Sequence, residues 1–333
     1  MQQAAVLTWI FDAEVPWNDY LLLRAFANVF VGHGRQFYSC RCLLTCASFF
    51  PLQASGLLSS ADTPAALLVI TNLLKHLQKT MSQSSEHSGR AYLVTGAASG
   101  MGLATAKLLL ARGACVAATD INETELATQY RDTGNERAIT IVLDITKKDA
   151  VQRTLDASRH RFGRLDGIAN FAGTGGHRLG LDNVWETTPE EADFLIDLNV
   201  KGLYNILHEG LQEGRLSEPG GSIVHIASMF AEVGFKKGAV FSASKHAAAG
   251  MVKSAAIEAG ARGIRVNCIL PGAVDTPMHQ ANLASDADDP TGPTPINRPG
   301  KPDEIAVVAG LLLSDQSSFT TGSLWRVDGG ANS

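Results

Sequence analysis

The chain has 333 residues, of which 45% are hydrophobic and 18% are charged, and its formal net charge is -5. That apolar fraction is ample for a buried core, and the mild acidity excludes the basic surface that nucleic acids and anionic membranes require. The five cysteines form no Cys-x-x-Cys pair, so we expect no metal site. Cys115 and Cys268 fall in apolar strand-like runs and are expected to be buried, free thiols in a reducing, cytoplasmic compartment.

Residues 1–89 differ in composition from the rest and are expected to form a poorly structured extension. Their apolar runs are shorter than the roughly 20 residues that span a bilayer, and no signal-peptide pattern is present. Three interpretations stay open: a translated stretch upstream of a true start at Met81, a targeting or membrane-surface region, and a small helical domain. The first is favoured because a short polar lead runs from Met81 directly into the first predicted strand.

From residue 90 onward, short β-branched runs alternate with amphipathic stretches. This alternation predicts an α/β fold, a single doubly wound Rossmann domain over residues 90–333, with about seven parallel strands and helices on both faces. The segment 275–300 lacks periodicity and is predicted to be a mobile loop over the substrate. Strands are predicted at 91–95, 115–120, 139–144, 167–171, 222–227, 265–270 and 323–327, and helices at 101–112, 147–162, 193–212, 243–261 and 303–313.

A glycine-rich turn follows the first predicted strand and opens the first helix, with glycines at 96, 100 and 102. Such a turn lets the backbone approach a pyrophosphate, which the helix N-terminus then faces. Asp120 ends the next strand and suits the adenosine ribose hydroxyls. Because this carboxylate would repel a 2′-phosphate and has no basic neighbour, NAD is favoured, with NADP as the alternative.

Later motifs occur in a fixed order after this turn. They are Asn170-Phe171-Ala172-Gly173 at a strand end, Pro271-Gly272-x-Val274-x-Thr276 after the sixth strand, and Val327-Asp328-Gly329-Gly330 near the end of the chain. With the glycine turn, this series resembles the short-chain dehydrogenase/reductase family, in particular its 3-oxoacyl reductase-like branch. The resemblance spans residues 90–333 and implies hydride transfer between a nicotinamide cofactor and a secondary alcohol or ketone.

The resemblance also implies which residues bind the cofactor. The acid Asp144 would meet the adenine, Lys245 would bind the nicotinamide ribose, and the segment after the sixth strand would hold the nicotinamide. The full expected set is Gly96, Ser99, Gly100, Met101, Gly102, Asp120, Asp144, Ile145, Asn170, Ala172, Gly173, Lys245, Pro271, Gly272, Val274 and Thr276.

Three of the family's four catalytic groups have counterparts in this sequence. Ser228 would hydrogen-bond the reacting oxygen, Asn199 would hold a water, and Lys245 would lower the pKa of a tyrosine hydroxyl four residues earlier. That position is occupied by Phe241, which has no proton to give. Loss of a positioned acid/base group commonly costs about 10²–10⁴ in rate.

Several groups are candidates to replace the missing hydroxyl: Ser228, Lys245 through a water, or a substrate hydroxyl. By their positions, His225, His246 and Tyr204 are assigned to packing instead. The favoured function is an NAD(P)(H)-dependent oxidoreductase on a small organic molecule, in a biosynthetic pathway of secondary metabolism, with atypical proton transfer. The alternatives are a cofactor-binding non-redox enzyme or regulatory protein, and an error in the sequence at Phe241. The resemblance also implies a homo-dimer or homo-tetramer that assembles through two long helices, 193–212 and 243–261. The second of these is rich in small residues, which permit close helix approach.

Overall fold

The structure is a computed structural model, and it describes residues 86–131, 136–284 and 294–333. The three interpretations of the N-terminal extension, including a start at Met81, concern residues that lie outside these ranges. Within the described ranges, no helix is both long and apolar enough to cross a membrane.

Seven parallel strands form one sheet in the order β3-β2-β1-β4-β5-β6-β7, which confirms the predicted fold class. The central strands are buried on both faces, as their continuous apolar, β-branched sequences require. The strands are β1 (Ala91–Thr95), β2 (Cys115–Asp120), β3 (Ala138–Val142), β4 (Gly167–Asn170), β5 (Ser222–Ile226), β6 (Arg265–Pro271) and β7 (Leu324–Val327).

Helices connect the strands on both sides of the sheet. A π-helical turn, Asp197–Lys201, joins two α-helices into one long helix, and 3₁₀ turns at Met229–Ala231 and Asp315–Ser317 follow β5 and the last helix. The α-helices are α1 (Gly100–Ala111), α2 (Glu123–Tyr130), α3 (Lys148–Phe162), α4 (Pro189–Ile196), α5 (Gly202–Gly210), α6 (Ala239–Gly260), α7 (Pro277–Ala284) and α8 (Pro302–Leu313).

Two of these helices depart from the sequence prediction. The loop predicted at 275–300 was wrong for α7, whose first turn is stabilised where Thr276 Oγ1 accepts the His279 backbone N–H at 3.2 Å. Helix α2 was not predicted at all. It is short, and its N-terminus is fixed by the Asn122 side chain, which accepts the Glu125 backbone N–H.

The core consists of one apolar cluster on each face of the sheet. Helices α3, α5 and α6 cover the first face, and α1, α2 and α8 cover the second. The strand order reverses direction between β1 and β4, so the crevice for a ligand opens at the carboxyl ends of these strands. We call this end of the sheet the carboxyl edge and the opposite end the amino edge.

Candidate active site

The glycine turn at the end of β1 is built so tightly that side chains would not fit. A Cβ on Gly102 would lie 2.1 Å from the Gly96 carbonyl oxygen, and Gly96 itself has a positive φ of 65°. Ser99 precedes α1 without a side-chain cap, and the first turn of α1 contains no acidic residue. The N-terminal N–H groups of α1 are therefore available to a phosphate, so this turn fits a dinucleotide pyrophosphate.

The two predicted adenosine-binding acids lie at strand ends beside this turn. Asp120 accepts the backbone N–H groups of Ala98 and Asn122, both at 3.0 Å, which anchors its carboxylate to the glycine turn. Asp144 accepts the backbone N–H and the hydroxyl of Thr146 through a single oxygen, at 2.9 and 2.7 Å. Both carboxylates keep acceptor capacity for a ribose or an adenine amino group.

The segment after β6 lies over the same turn. A Cβ on Gly100 would be 3.2 Å from Thr276 Cγ2, so the two predicted halves of the cofactor site meet there. Gly272 packs against the Asp328 backbone, where a Cβ would be 2.9 Å from Cα, and Val274 pairs with Gly300 in a short bridge. Pro271 is buried at the end of β6.

Three other predicted cofactor residues pack wholly or partly into the interior. Met101 packs on the second apolar cluster, and Ile145 is buried in the first, against Gly202. Asn170 is fully buried, and its side-chain oxygen accepts the Thr95 hydroxyl at 2.6 Å while its amide nitrogen faces His225 Nδ1 at 3.1 Å. Its polar atoms thus join neighbouring strands rather than face the crevice.

The end of β4 brings Ala172 and Gly173 to the predicted catalytic groups. A Cβ on Gly173 would lie 3.2 Å from Asn199 Oδ1 and 3.6 Å from Lys245 Nζ, which places these two side chains around the same glycine. Asn199 lies in the π-helical turn, where its amide bonds the Thr174 backbone N–H and C=O, both at 2.9 Å. A π-turn is frequent where a helix presents a functional side chain.

Lys245 is buried on α6, only 5% exposed, and burial lowers the pKa of its ammonium to about 8. No carboxylate pairs with it among the residues that the structure describes. Its Nζ lies 5.5 Å from the centroid of the Phe241 ring, one helical turn earlier. The ring therefore occupies the place beside the lysine where the family resemblance leads us to expect a hydroxyl.

Ser228 follows β5 and caps the 3₁₀ turn Met229–Ala231. Its Oγ accepts the Phe230 backbone N–H at 3.2 Å, which leaves its hydroxyl proton free to be donated. Helix α6 holds this turn through the Ser242 hydroxyl, which contacts the carbonyls of Phe230 and Val233 at 3.0 and 2.9 Å. The serine and the lysine are thus positioned by two directly connected elements.

Three phenylalanines form an aromatic cluster between these elements, Phe230, Phe235 and Phe241. The Phe230 and Phe235 ring centroids are 4.0 Å apart, and both rings meet Phe241 edge-on at 6.4 and 6.2 Å. A Cβ on Gly238 would lie only 1.9 Å from the Phe235 ring, and the preceding Lys237 has a positive φ of 61°. The loop before α6 is therefore folded tightly around Phe235.

Sequence reasoning did not identify several of these contacts. The links from Thr95 to Asn170 and His225 depend on strand register, which no sequence spacing reveals. Phe230 and Phe235 gave no periodic signal because they lie in a 3₁₀ turn and a loop. His225 was assigned to packing from strand parity, which correctly put it on the face opposite Ile226 but did not reveal which residues it meets.

Known proteins resemble this chain over most of its length. Residues 96–332 match the family described as Enoyl-(Acyl carrier protein) reductase. The Short-chain dehydrogenase/reductase ABA4 of Pyricularia oryzae is 38% identical over 264 residues, which cover 76% of this chain and 96% of that protein. Levodione reductase of Leifsonia aquatica is 31% identical over 265 residues, which cover 75% of this chain and 97% of the relative.

A solved structure has the same fold. The crystal structure of 3-ketoacyl-(acyl-carrier-protein) reductase from Brucella melitensis complexed with NADH superposes with a TM-score of 0.66 at 30% identity. The match covers 74% of this chain and 99% of that one.

Proposed function

The chain belongs to the short-chain dehydrogenase/reductase family, and on that premise we propose that it interconverts a secondary alcohol and a ketone of a small organic molecule with a nicotinamide cofactor. The observation that carries this proposal is the burial of Lys245 beside Gly173 and Asn199, at the carboxyl edge next to the glycine turn. A buried ammonium without an acidic partner is costly, and ribose hydroxyls of a bound cofactor would satisfy it.

The position of each site residue suggests which part of the cofactor or substrate it would bind. The N-terminus of α1 binds the pyrophosphate, and Asp120 and Asp144 bind the adenosine half. Thr276 closes over the turn from the far side. When bound, the cofactor supplies or takes up a hydride. The Ser228 hydroxyl donates to the substrate oxygen, because its own oxygen is already held by a backbone N–H.

We propose NAD as the preferred cofactor. The Asp120 carboxylate is held by two backbone N–H groups, so it cannot move away from a bound cofactor. A 2′-phosphate on the adenosine ribose would be repelled by this negative charge, whereas the 2′-hydroxyl of NAD would not. The NADH complex of the structural neighbour is compatible with this preference, since it belongs to a protein of the same fold.

We propose a largely apolar, cyclic substrate. The aromatic cluster of Phe230, Phe235 and Phe241 lies beside Ser228 and Lys245, and aromatic rings favour contact with apolar ring faces. A place in secondary metabolism follows only from the sequence-based expectation and is proposed on that footing.

A second candidate function rests on one specific observation, the missing hydroxyl at Phe241. A protein that binds the cofactor without redox turnover would also keep the glycine turn and Lys245. Assembly is proposed to be a homo-dimer or homo-tetramer through α4–α5 and α6, where Tyr204 and Ile257 expose 51% and 82% of their surfaces.

The decisive experiment compares the full chain with its Phe241→Tyr variant. We expect both to bind NADH, and both to reduce cyclic ketones, with the tyrosine variant faster by about 10- to 100-fold, because a positioned acid contributes about 10²–10⁴ in rate when complete. NADH binding is measured by fluorescence titration, and turnover by NADH absorbance.

Three outcomes would contradict parts of this proposal. NADH binding without turnover by the natural chain, restored by tyrosine, would favour the non-redox candidate. Equal turnover of NADH and NADPH would contradict the role of Asp120. Failure of both proteins to bind a dinucleotide would remove the proposal altogether.

A further inference from the structure

The peptide unit between Met229 and Phe230 connects the Ser228 hydroxyl to Asn332, which lies 103 positions after Met229 in the chain. The N–H of this unit donates to Ser228 Oγ at 3.2 Å, and its carbonyl oxygen accepts the Asn332 side-chain amide at 2.9 Å. Met229 is 3% exposed, so the unit is buried. Because a peptide unit is planar and rigid, a group that holds its carbonyl also fixes the direction of its N–H.

The segment after β7 holds Asn332 in place. The Asn332 backbone N–H donates to Asp328 Oδ2 at 3.1 Å, and its carbonyl accepts Arg326 Nη1 at 2.9 Å. The same guanidinium donates through Nε to Glu232 Oε2 at 2.6 Å, and Glu232 ends the 3₁₀ turn that follows β5. This segment is therefore joined to the turn twice, at the Met229 backbone and at the Glu232 side chain.

The other contacts of the turn do not replace the bond from Asn332. From α6, the Ser242 hydroxyl contacts the Phe230 carbonyl at 3.0 Å, which belongs to the following peptide unit. The Glu232 backbone N–H reaches the Met229 carbonyl at 3.3 Å, but it belongs to the turn itself and moves with it. Asn332 thus holds this carbonyl from outside the turn, on a different element from α6.

Hydrogen bonds in a chain polarise one another. A donor on the Met229 carbonyl draws electron density from the peptide nitrogen, which makes the Phe230 N–H a better donor to Ser228 Oγ. That N–H in turn makes the Ser228 hydroxyl proton a better donor to a further acceptor. Such strengthening amounts to roughly 10–30% per bond in condensed phase.

The Ser228 hydroxyl is where this chain needs such support. Phe241 has no hydroxyl, and its ring lies 5.5 Å from Lys245 Nζ, so Ser228 is the proposed donor to the substrate oxygen. An aliphatic hydroxyl is a weak acid. Its orientation and polarisation by neighbouring groups therefore affect how well it stabilises negative charge that develops on that oxygen.

We propose that Asn332 is a positioning residue for Ser228. It acts through the Met229–Phe230 peptide unit, which it orients and polarises so that the Ser228 hydroxyl donates well to the substrate oxygen. This inference rests on the proposed oxidoreductase function and names a further residue on which the same site depends.

Three substitutions separate this role from a general role in stability. Asn332→Asp keeps the size and shape of the side chain but replaces its donor nitrogen by an oxygen, so the bond to the Met229 carbonyl is lost. Asn332→Gln keeps the amide on a longer side chain and should restore part of that bond. Ser333→Ala is the matched control, because its hydroxyl donates to the Gly330 carbonyl at 2.8 Å, within the segment itself.

One NMR signal reports this peptide unit directly, because Met229-Phe230 is the one Met-Phe pair in the sequence. Labelling the full chain with ¹³C at the methionine carbonyls and ¹⁵N at phenylalanine gives a single signal with a directly bonded ¹³C–¹⁵N pair. We expect Asn332→Asp to move both its carbonyl carbon and its amide proton upfield, since both hydrogen bonds weaken. Asn332→Gln should give an intermediate position, and Ser333→Ala should leave the signal unchanged.

Steady-state kinetics with NADH and a cyclic ketone test the functional half of the inference. We expect Asn332→Asp to lower kcat about tenfold, because small displacements of a group that contacts the reacting atoms are costly. The dissociation constant for NADH should stay the same, since the glycine turn is untouched. Asn332→Gln should recover part of the loss, and Ser333→Ala should match the natural chain.

Three results would overturn the inference: an unchanged kcat in folded Asn332→Asp, a Phe230 amide proton that stays in place when the Met229 carbonyl carbon moves, or an equal loss of NADH binding. The expected NMR shifts in a chain that never turns over would instead overturn the proposed function and leave the link to Ser228 intact. If Asn332→Asp does not fold, Ser228→Ala tests the link from its other end. It should move the Met229 carbonyl signal, and an unmoved signal would overturn the inference.

Discussion

The two edges of the sheet each bury a histidine whose Nε2 has no partner in the described residues, yet their surroundings differ. At the amino edge, His87 Nδ1 contacts the Tyr92 hydroxyl at 2.9 Å, and the flanking Arg90 and Arg112 pair with carboxylates. At the carboxyl edge, His225 lies on the sheet face that α6 covers, and Lys245 of that helix pairs with no carboxylate among the described residues. The comparison shows that a buried imidazole alone does not mark a site, whereas an unpaired buried charge beside it does.

The amino edge is held together by hydrogen bonds to a buried carboxylate. Asp166 is 1% exposed and accepts the Ala91 backbone N–H at 2.9 Å, together with two bonds from Arg164 at 2.8 and 2.6 Å. These donors all bond the Asp166 carboxylate, and the contacts tie the start of β1 to the start of β4. These hydrogen bonds stabilise the folded state, so substitutions at the amino edge should lower stability and leave the turnover rate unchanged.

The largest expected effect is at Lys245. Replacing it with methionine keeps most of its volume and removes the ammonium, and we expect turnover to fall about 10²–10⁴-fold with weaker NADH binding. Lys253→Met, on the exposed face of the same helix, is the control and should keep both. Steady-state kinetics and NADH titration measure the effect. A fully active Lys245→Met enzyme would contradict the functional role assigned to the carboxyl edge.

The next effect is at the amino edge. Asp166→Asn replaces an acceptor by a donor that faces N–H groups, and we expect it to lower the free energy of unfolding by about 2–3 kcal/mol, since hydrogen bonds to buried charges are strong. Asp315→Asn removes an exposed partner of Arg90 and should cost much less. Urea unfolding measures stability, and kcat should stay unchanged. Loss of turnover in the folded Asp166→Asn protein would contradict the comparison.

The smallest effect per residue is the pH dependence of stability that comes from two histidines, one at each edge. The pKa of His87 is lowered to about 4 and that of His225 to about 3, chiefly by burial, against an ordinary value near 6.5. Below pH 6.5 the unfolded chain therefore binds more protons than the folded chain, and stability falls as pH falls. Each histidine contributes at most about 1.4 kcal/mol per pH unit, down to its folded pKa.

Unfolding in urea at pH 7, 6 and 5 measures this slope in the natural chain, His87→Asn and His225→Asn. In each variant, the free energy of unfolding should fall less steeply with decreasing pH, because one of the two buried histidines is absent. An identical slope in all three proteins would show that neither ring is held neutral.

The comparison also explains which features were predictable from the sequence. The glycine turn, Asp120 and the strand bounds depend on local rules of backbone freedom and periodicity, and β1 and β2 were predicted to the residue. Helix α7 was missed because its start depends on a Thr276 side-chain bond rather than on an apolar stripe. The assignment of Asn170 to the cofactor site, by contrast, could not reveal that its polar atoms lie between strands.

The lysine environment was beyond sequence reasoning for a related reason. Which residues surround His225 depends on the register of β5 with β4 and β6, and register is a property of the assembled sheet. The sequence motifs supplied Asn199, Phe241 and Lys245 in their order along the chain. That Lys245 pairs with no carboxylate among the described residues becomes evident only once distant segments have packed around it.

The Phe235 ring stacked over Gly238 imposes an order on any redesign of the substrate cleft. While the ring is in place, a side chain at position 238 collides with its outer carbons, so the ring has to move aside before a larger residue fits. Once Phe235 is trimmed to alanine, this obstacle at 238 is removed. We therefore expect the two positions to be epistatic, with Phe235→Ala widening the range of residues tolerated at 238.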